Sequence, residues 1–253
     1  MLGCYRQRHP GTYIYPAREA VAVHWGHFSI VEAELSCLQD LLHNNRSWQY
    51  ALDMAGSEVM MFTNRELVAN LSAAPGQIYT ETFPLPDNNQ FRVEIRHKYA
   101  GPDLSSREGP HDPPPFGLKI YKGGKAWRAP RTFVEFLLNH PAAKQFLEWA
   151  KSTYISDETV VATLARVSEV RWRRDGTWEV RQDHEPLGRY HLQLWDQGAC
   201  RGLMRHGVCV FSLLDLSTIL SANTILINKV MTEHDAAVAE CLRDNIRKRE
   251  VLE

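Results

Sequence analysis

Segments in which apolar residues recur at helical spacing take turns along this chain with short β-branched and aromatic runs, and that alternation sharply limits the folds open to it. Helical spacing covers Ser29 to His43, Arg65 to Ala73, Thr132 to Leu138, Pro141 to Tyr154 and Ser156 to Val167. Pro141 suits a first helical position, where a missing N–H costs nothing, and Phe146, Leu147 and Ala150 make that helix's inner stripe. Strand patterns cover Ala20 to His24, Gln49 to Met54, Arg92 to His97, Thr177 to Arg181, Tyr190 to Trp195 and Val208 to Ser212. Such alternation predicts a layered α/β sheet rather than an all-β sandwich. With 253 residues, 44% of them hydrophobic, the chain is long enough to bury one large α/β core or two small ones. Residues 101–117, with Pro102, Pro110, Pro113, Pro114 and Pro115, predict a long loop. Residues 1–20, rich in Arg, Tyr, Pro and Gly, read as an irregular leader, and 21–253 as the folded domain.

Charge and cysteine usage exclude several classes of function. A net charge of -1 and the lack of a sustained basic stripe argue against a nucleic-acid partner. Arg171-Trp172-Arg173-Arg174 is short and reads as a solvated loop or strand edge. The five cysteines, at positions 4, 37, 200, 209 and 241, include no C-x-x-C pair and have no histidines at ligand spacing, so no zinc site is expected. The separation of Cys200 and Cys209 suits a small disulfide loop, and the sequons at Asn45-Arg46-Ser47 and Asn70-Leu71-Ser72 are compatible with a secretory compartment. No stretch reaches the roughly twenty apolar residues of a spanning helix, and the N-terminus has no apolar signal core.

The segment Ser156-Asp157-Glu158 places a carboxylate pair where Ser156 reads as an N-cap and both acids fall in a helix's first turn. A carboxylate there is expected to stay ionised and can accept a proton from a substrate hydroxyl, as a general base must. Acidic residues are also common simply as helix-start residues, and locally that structural reading outweighs the catalytic one. The surroundings shift the balance. Trp149-Ala150-Lys151-x-Thr153-Tyr154-x-Ser156-Asp157-Glu158-x-x-x-Ala162-Thr163-Leu164-x-Arg166 resembles the W-A-x-D-T-Y-S-P-D-E-x-x-W-A-T-x-x-R block of the core 2 and I-branching β-1,6-N-acetylglucosaminyltransferases. His24 to Leu41 is similar to that family's Y-A-S-W-S-R-V-Q-A-D-L-N-C-M-K-D-L. Trp48-Gln49-Tyr50, Gly56 and Thr63-Asn64-Arg65-Glu66 follow in the family's order, as do Cys200, Cys209, Asn228-Lys229 and Cys241-Leu242.

The resemblance runs from about Val21 to the C-terminus and implies a GT-A-like α/β fold, a mixed sheet flanked by helices. It also implies that the first nucleotide-binding strands, the membrane anchor and the stem of these Golgi type II proteins are missing here. Glu158 takes the place of the base. Lys229 falls on the lysine that neutralises the UDP leaving group, and His206, with Arg205 one residue earlier, on the arginine that assists it. Glu81, Arg92 and Trp195 fall on residues that grip the acceptor glycan. The resemblance further implies a bridge between Cys200 and Cys209, and leaves Cys37 and Cys241 without their usual partners; Cys4 lies in surroundings that do not match. The family needs no metal, and this chain has no Asp-x-Asp motif, so basic side chains would stabilise the departing diphosphate.

Several positions depart from the pattern. Asn89 stands for an acceptor lysine, Gln193 for an aromatic, Glu58 for an aspartate, and Lys122-Gly123-Gly124-Lys125-Ala126-Trp127-Arg128-Ala129 brings charges into a largely apolar strand. Two functions follow. One is an inverting, metal-independent transfer of N-acetylglucosamine from UDP-GlcNAc, in β-1,6 linkage, to galactosyl or GalNAc-bearing O-glycans. The other is a catalytically silent relative that binds glycans or another transferase.

Overall fold

The computed structural model describes residues 13–44, 47–99, 105–183 and 191–252. Its helices are α1 (Ser29–His43), α2 (Asn64–Ala73), α3 (Phe91–Glu94), α4 (Arg131–Asn139), α5 (Pro141–Ala150), α6 (Val160–Leu164), α7 (Leu216–Ser221) and α8 (Ala236–Leu252). The strands are β1 (Tyr50–Leu52), β2 (Glu58–Met60), β3 (Tyr79–Thr80), β4 (Phe83–Pro84), β5 (Ile95–Tyr99), β6 (Ser105–Pro110), β7 (Tyr121–Lys122), β8 (Trp127–Pro130), β9 (Val167–Trp172), β10 (Trp178–Gln182), β11 (His191–Leu192), β12 (Leu203–Arg205), β13 (Val208–Val210) and β14 (Leu226–Asn228). The architecture is mixed α/β, as the alternation of periods predicts. An antiparallel sheet runs β1-β8-β3, and a mixed sheet runs β11-β14-β2, parallel at its first pair and antiparallel at its second. The pairs β4–β7, β5–β6, β9–β10 and β12–β13 complete the set.

Local chemistry explains the helix starts. Thr63 and Glu66 form a reciprocal capping box at the head of α2, each side chain accepting the other's backbone N–H. His140 caps α5 through Nδ1, 3.2 Å from the Ala142 amide, with Pro141 at the first helical position. The faces of α1, α4 and α5 that carry Val31, Leu38, Phe133, Val134, Leu137 and Phe146 close over the β1-β8-β3 sheet to make the larger core. Full burial of a side chain such as Phe146 contributes about 1.5–3 kcal/mol. A second core gathers Met61, Phe211, Ile219 and Ile227 with Val238 and Leu242 of α8.

Several boundaries differ from the periodicity. Residues 20–24 are not a strand; they pair with no strand among the described residues, and Val23 is half exposed. Arg92 and Val93 lie in α3, closed by Val93 and Glu94 amides on the Gln90 carbonyl, before the strand begins at Ile95. Helix α5 stops at Ala150 because the following turn is captured from outside, His97 donating to the Ser152 carbonyl and Tyr154 to that of Arg92. Of the segment 101–117, Ser105–Pro110 is not loop but strand β6, zipped antiparallel to β5, and Pro115–Gly117 is a 3-10 turn. Residues 101–104, like Asn45, Arg46, Cys4 and Tyr190, lie outside the described residues.

The charges in Lys122 to Ala129 are matched one by one. Arg128 is buried with its guanidinium 3.5 Å from the Tyr79 ring and a hydrogen bond to the Asn70 carboxamide. The sequon asparagine Asn70 therefore sits inside α2 with its side chain engaged, a poor setting for a glycosylation acceptor. Cys200 and Cys209 are bridged, with Cα atoms 5.6 Å apart, while Cys37 and Cys241 are free thiols. No helix of the described residues is long and apolar enough to cross a membrane.

Candidate functional site

Glu158 does not stand in the first turn of a long helix. Ser156–Glu158 is a single 3-10 turn, Thr159 breaks it, and α6 begins at Val160. Ser156 is no cap: its Oγ is buried without a hydrogen-bond partner. The residue before it, Ile155, adopts left-handed backbone (φ 54), costly for a β-branched side chain, with its amide donated to the Gly26 carbonyl. That kink precedes the acidic pair, of which Glu158 is partly exposed while Asp157 Oδ1 is buried. The chain beyond Arg166 leaves the helical path because Val167 enters β9 opposite Gln182.

The Glu158 carboxylate, 23% exposed, is held from two sides. Arg92 Nη1 lies 2.6 Å from Oε2 and Lys122 Nζ 3.2 Å from the same oxygen. Its backbone carbonyl accepts the Gly123 amide at 2.7 Å. Gly123 is needed here: a Cβ would overlap the Glu81 carbonyl oxygen and touch Ala162. Glu81's carboxylate also comes close, Oε2 lying 3.5 Å from where a Cβ of Gly124 would stand. Arg166 fastens the arrangement from behind, its Nε donating to Thr82 Oγ1 at 2.6 Å. Glu158 and Arg92, candidates drawn from distant sequence, are thus brought together with Lys122, and Glu81 lies alongside the Gly123-Gly124 turn that holds the Glu158 backbone. Sequence reasoning met Lys122 only as a misfit in an apolar run; the signal available was its place beside a Gly-Gly turn.

Behind this group the carboxyl of Asp157 is pushed up to about 6 by burial and by the adjacent Glu158 charge. Its Oδ1 has no hydrogen-bond partner. Nearby, Lys125 Nζ sits 2.6 Å from Glu34 and 2.8 Å from Asp53.

The remaining candidates form a second group, on the second core. Strands β12 and β13 meet in a two-residue turn, with His206 (φ 53) and Gly207 (φ 77) both left-handed. His206 is therefore a turn residue and Arg205 the last residue of β12, both exposed. Lys229 follows β14; its amide donates to the Cys209 carbonyl and its carbonyl accepts from Phe211. Nζ comes within 3.4 Å of the Arg205 carbonyl, and partial burial together with the Arg205 charge lowers the lysine's pKa. Trp195 borders the same turn, its Cε3 4.0 Å from the position of a Gly207 Cβ, and is 59% exposed. A core role for this tryptophan is excluded. The Cys200–Cys209 bridge and the Cys209 amide on the Leu194 carbonyl tie strand, turn and tryptophan together. Among the described residues no group of three or more His, Cys, Asp or Glu side chains is arranged to hold a metal ion.

Fold and site together define a mixed α/β domain that carries a clamped carboxylate on one core and an exposed basic and aromatic face on the other. The model of the Core-2/I-Branching enzyme family matches residues 12–219. This chain belongs to that family. It is 28% identical, over 94% of its length, to the human β-1,3-galactosyl-O-glycosyl-glycoprotein β-1,6-N-acetylglucosaminyltransferase 3, of which the match covers 57%. The rat protein of that name is 30% identical over 94% of the chain and 56% of its own length, and a cattle relative is 26% identical over 93% and 57%. The chain therefore spans a little over half the length of the curated relatives it matches.

Proposed function

We propose that this chain transfers N-acetylglucosamine from UDP-GlcNAc, with inversion and without a metal, onto a galactosyl or GalNAc residue of an O-glycan in β-1,6 linkage, within a GT-A-like catalytic domain. The observation that supports it most is the carboxylate of Glu158, 23% exposed and held by both Arg92 and Lys122. Both cations reach Oε2, which leaves Oε1 to receive a proton. In the reaction the acceptor's primary hydroxyl gives its proton to Glu158 as its oxygen attacks the sugar's anomeric carbon from the face opposite the nucleotide. The bond from that carbon to the diphosphate breaks, and UDP departs with the electron pair. Arg92 and Glu81 position the acceptor through its hydroxyls, and Trp195 offers a face for a sugar ring to stack on. Lys229, with Arg205 or His206, neutralises the leaving diphosphate. Burial and a neighbouring cation, acting on Lys229, are the circumstances that an anionic ligand relieves. The reading carries with it residence in the Golgi lumen on a membrane-anchored protein.

Purified protein incubated with UDP-GlcNAc and a Galβ1-3GalNAc acceptor in the presence of chelator tests this. Transfer is expected in wild type, and Glu158→Gln is expected to lower it at least about a hundredfold while retaining UDP binding. Turnover preserved in that variant removes Glu158 as base. Glycan binding without any wild-type turnover selects the silent relative instead.

A further inference from the structure

The hairpin β9–β10 takes no part in the site above, yet it presents a paired set of aromatic rings with one ring largely exposed. Trp172 and Trp178 face each other across the strands, rings edge-to-face with centroids 4.8 Å apart, and Trp172 is 59% exposed. The stack continues inward through His140, 4.8 Å from Trp178, to Phe136, a further 5.3 Å away. Beside it a cleft of about 320 Å³ opens between α4 and the free edge of β9. Its lining includes the apolar Phe133, Phe136 and Val170 and the polar Thr132, Glu169 and His140. Because His140 Nδ1 accepts the Ala142 amide, the neutral form of the ring carries its proton on Nε2, which can donate. A small, mostly apolar hollow with a few placed polar groups has the make-up of a ligand site.

The charges around it select the ligand. Arg171 lies 2.5 Å from Glu179, Arg173 3.2 Å from Glu179, and Arg181 3.6 Å from Glu169. The hairpin's own carboxylates thereby occupy these cations, which favours neither a polyanion nor an acidic membrane. Flat indole faces, a carboxylate that accepts hydroxyl protons and an imidazole N–H suit a neutral sugar. We infer that Trp172, Trp178 and the adjoining cleft form a second glycan-binding site, separate from Glu158, that takes an uncharged hexose or N-acetylhexosamine unit. Its role would be to hold a second branch of a large glycan while another reacts.

The full chain labelled with 5-fluorotryptophan and titrated with N-acetyllactosamine tests this by ¹⁹F NMR, with Trp172→Phe and Trp178→Phe assigning the signals. Both resonances are expected to shift saturably. Trp172→Ala, at an exposed position, is expected to weaken that binding about threefold to tenfold, the worth of one aromatic stack. Trp195→Ala and Glu158→Gln should leave it unchanged. Retention of this binding in a protein without transferase activity separates the fate of this site from that of the proposed reaction. Absence of saturable shifts at these two rings, or equal affinity in Trp172→Ala, overturns the inference. So does a response only to a heparin-derived oligosaccharide, or a shift that depends on protein concentration without sugar, which would mark a contact between copies.

Discussion

Lys125 sits between two carboxylates with one ammonium to share. In a buried setting one of them gains by keeping its proton, and Glu34 is pushed up to about 8, by burial first and then by the Asp53 charge, with Lys125 pulling the other way. The folded state thus binds this proton more tightly than the unfolded chain, where glutamate titrates near 4.5. The stability it confers is full below that pH and is lost as pH rises toward 8. Thermal melts from pH 5 to 9 are expected to show a melting point that falls as pH rises, a fall flattened in Glu34→Gln; a wild-type melting point constant over that range would contradict the assignment. At this scale the sequence was half legible. Glu158, Arg92 and Glu81 stood out through their motifs, but Lys122 and Lys125 registered only as charges in the wrong place. Their partners lie 36 residues onward and 91 residues back, and only folding brings them within reach.

Among the elements, the turn at Gly123 carries the most. It abuts the Glu81 carbonyl, and its amide holds the backbone of Glu158. Gly123→Ala forces backbone against backbone, so a loss of about 1–3 kcal/mol is expected, together with a disproportionate fall in transfer relative to UDP binding. Chemical denaturation and the transferase assay check the two parts; a variant as stable and active as wild type would show that the turn yields freely. Helices α1, α2, α4 and α5 were readable because their signals are local: buried stripes in α1, α4 and α5, side-chain caps at α2 and α5. The stretch Ser156 to Val167 was misread as one helix because its apolar residues fit a helical period, whereas the left-handed Ile155 and the pairing of Val167 with Gln182 are decided by neighbours. The β5–β6 pairing was likewise hidden by prolines, which at Pro110 come at the strand's end.

For the whole molecule the division into two cores matters, since Glu158 stands on one and Lys229 on the other. The second core depends on α8, whose Val238 and Leu242 are fully buried and whose Arg249 lies 2.6 Å from Glu66, the capping residue of α2. Leu242→Ala is expected to cost about 2–5 kcal/mol and to weaken UDP binding before it affects the Glu158 side; urea unfolding followed alongside UDP titration reads both, and a cost below about 1 kcal/mol would mean that α8 is peripheral. Composition, period and motif order were enough to determine the α/β class, helices α1, α2, α4 and α5, and the family, because burial patterns and short-range capping are written into neighbouring residues; α8, the longest helix among the described residues, was not read from the sequence. Which charges neutralise one another, how the acidic turn is aimed, and how the candidate residues sort into two groups were settled only by the tertiary structure, because those outcomes depend on contacts between residues far apart along the chain.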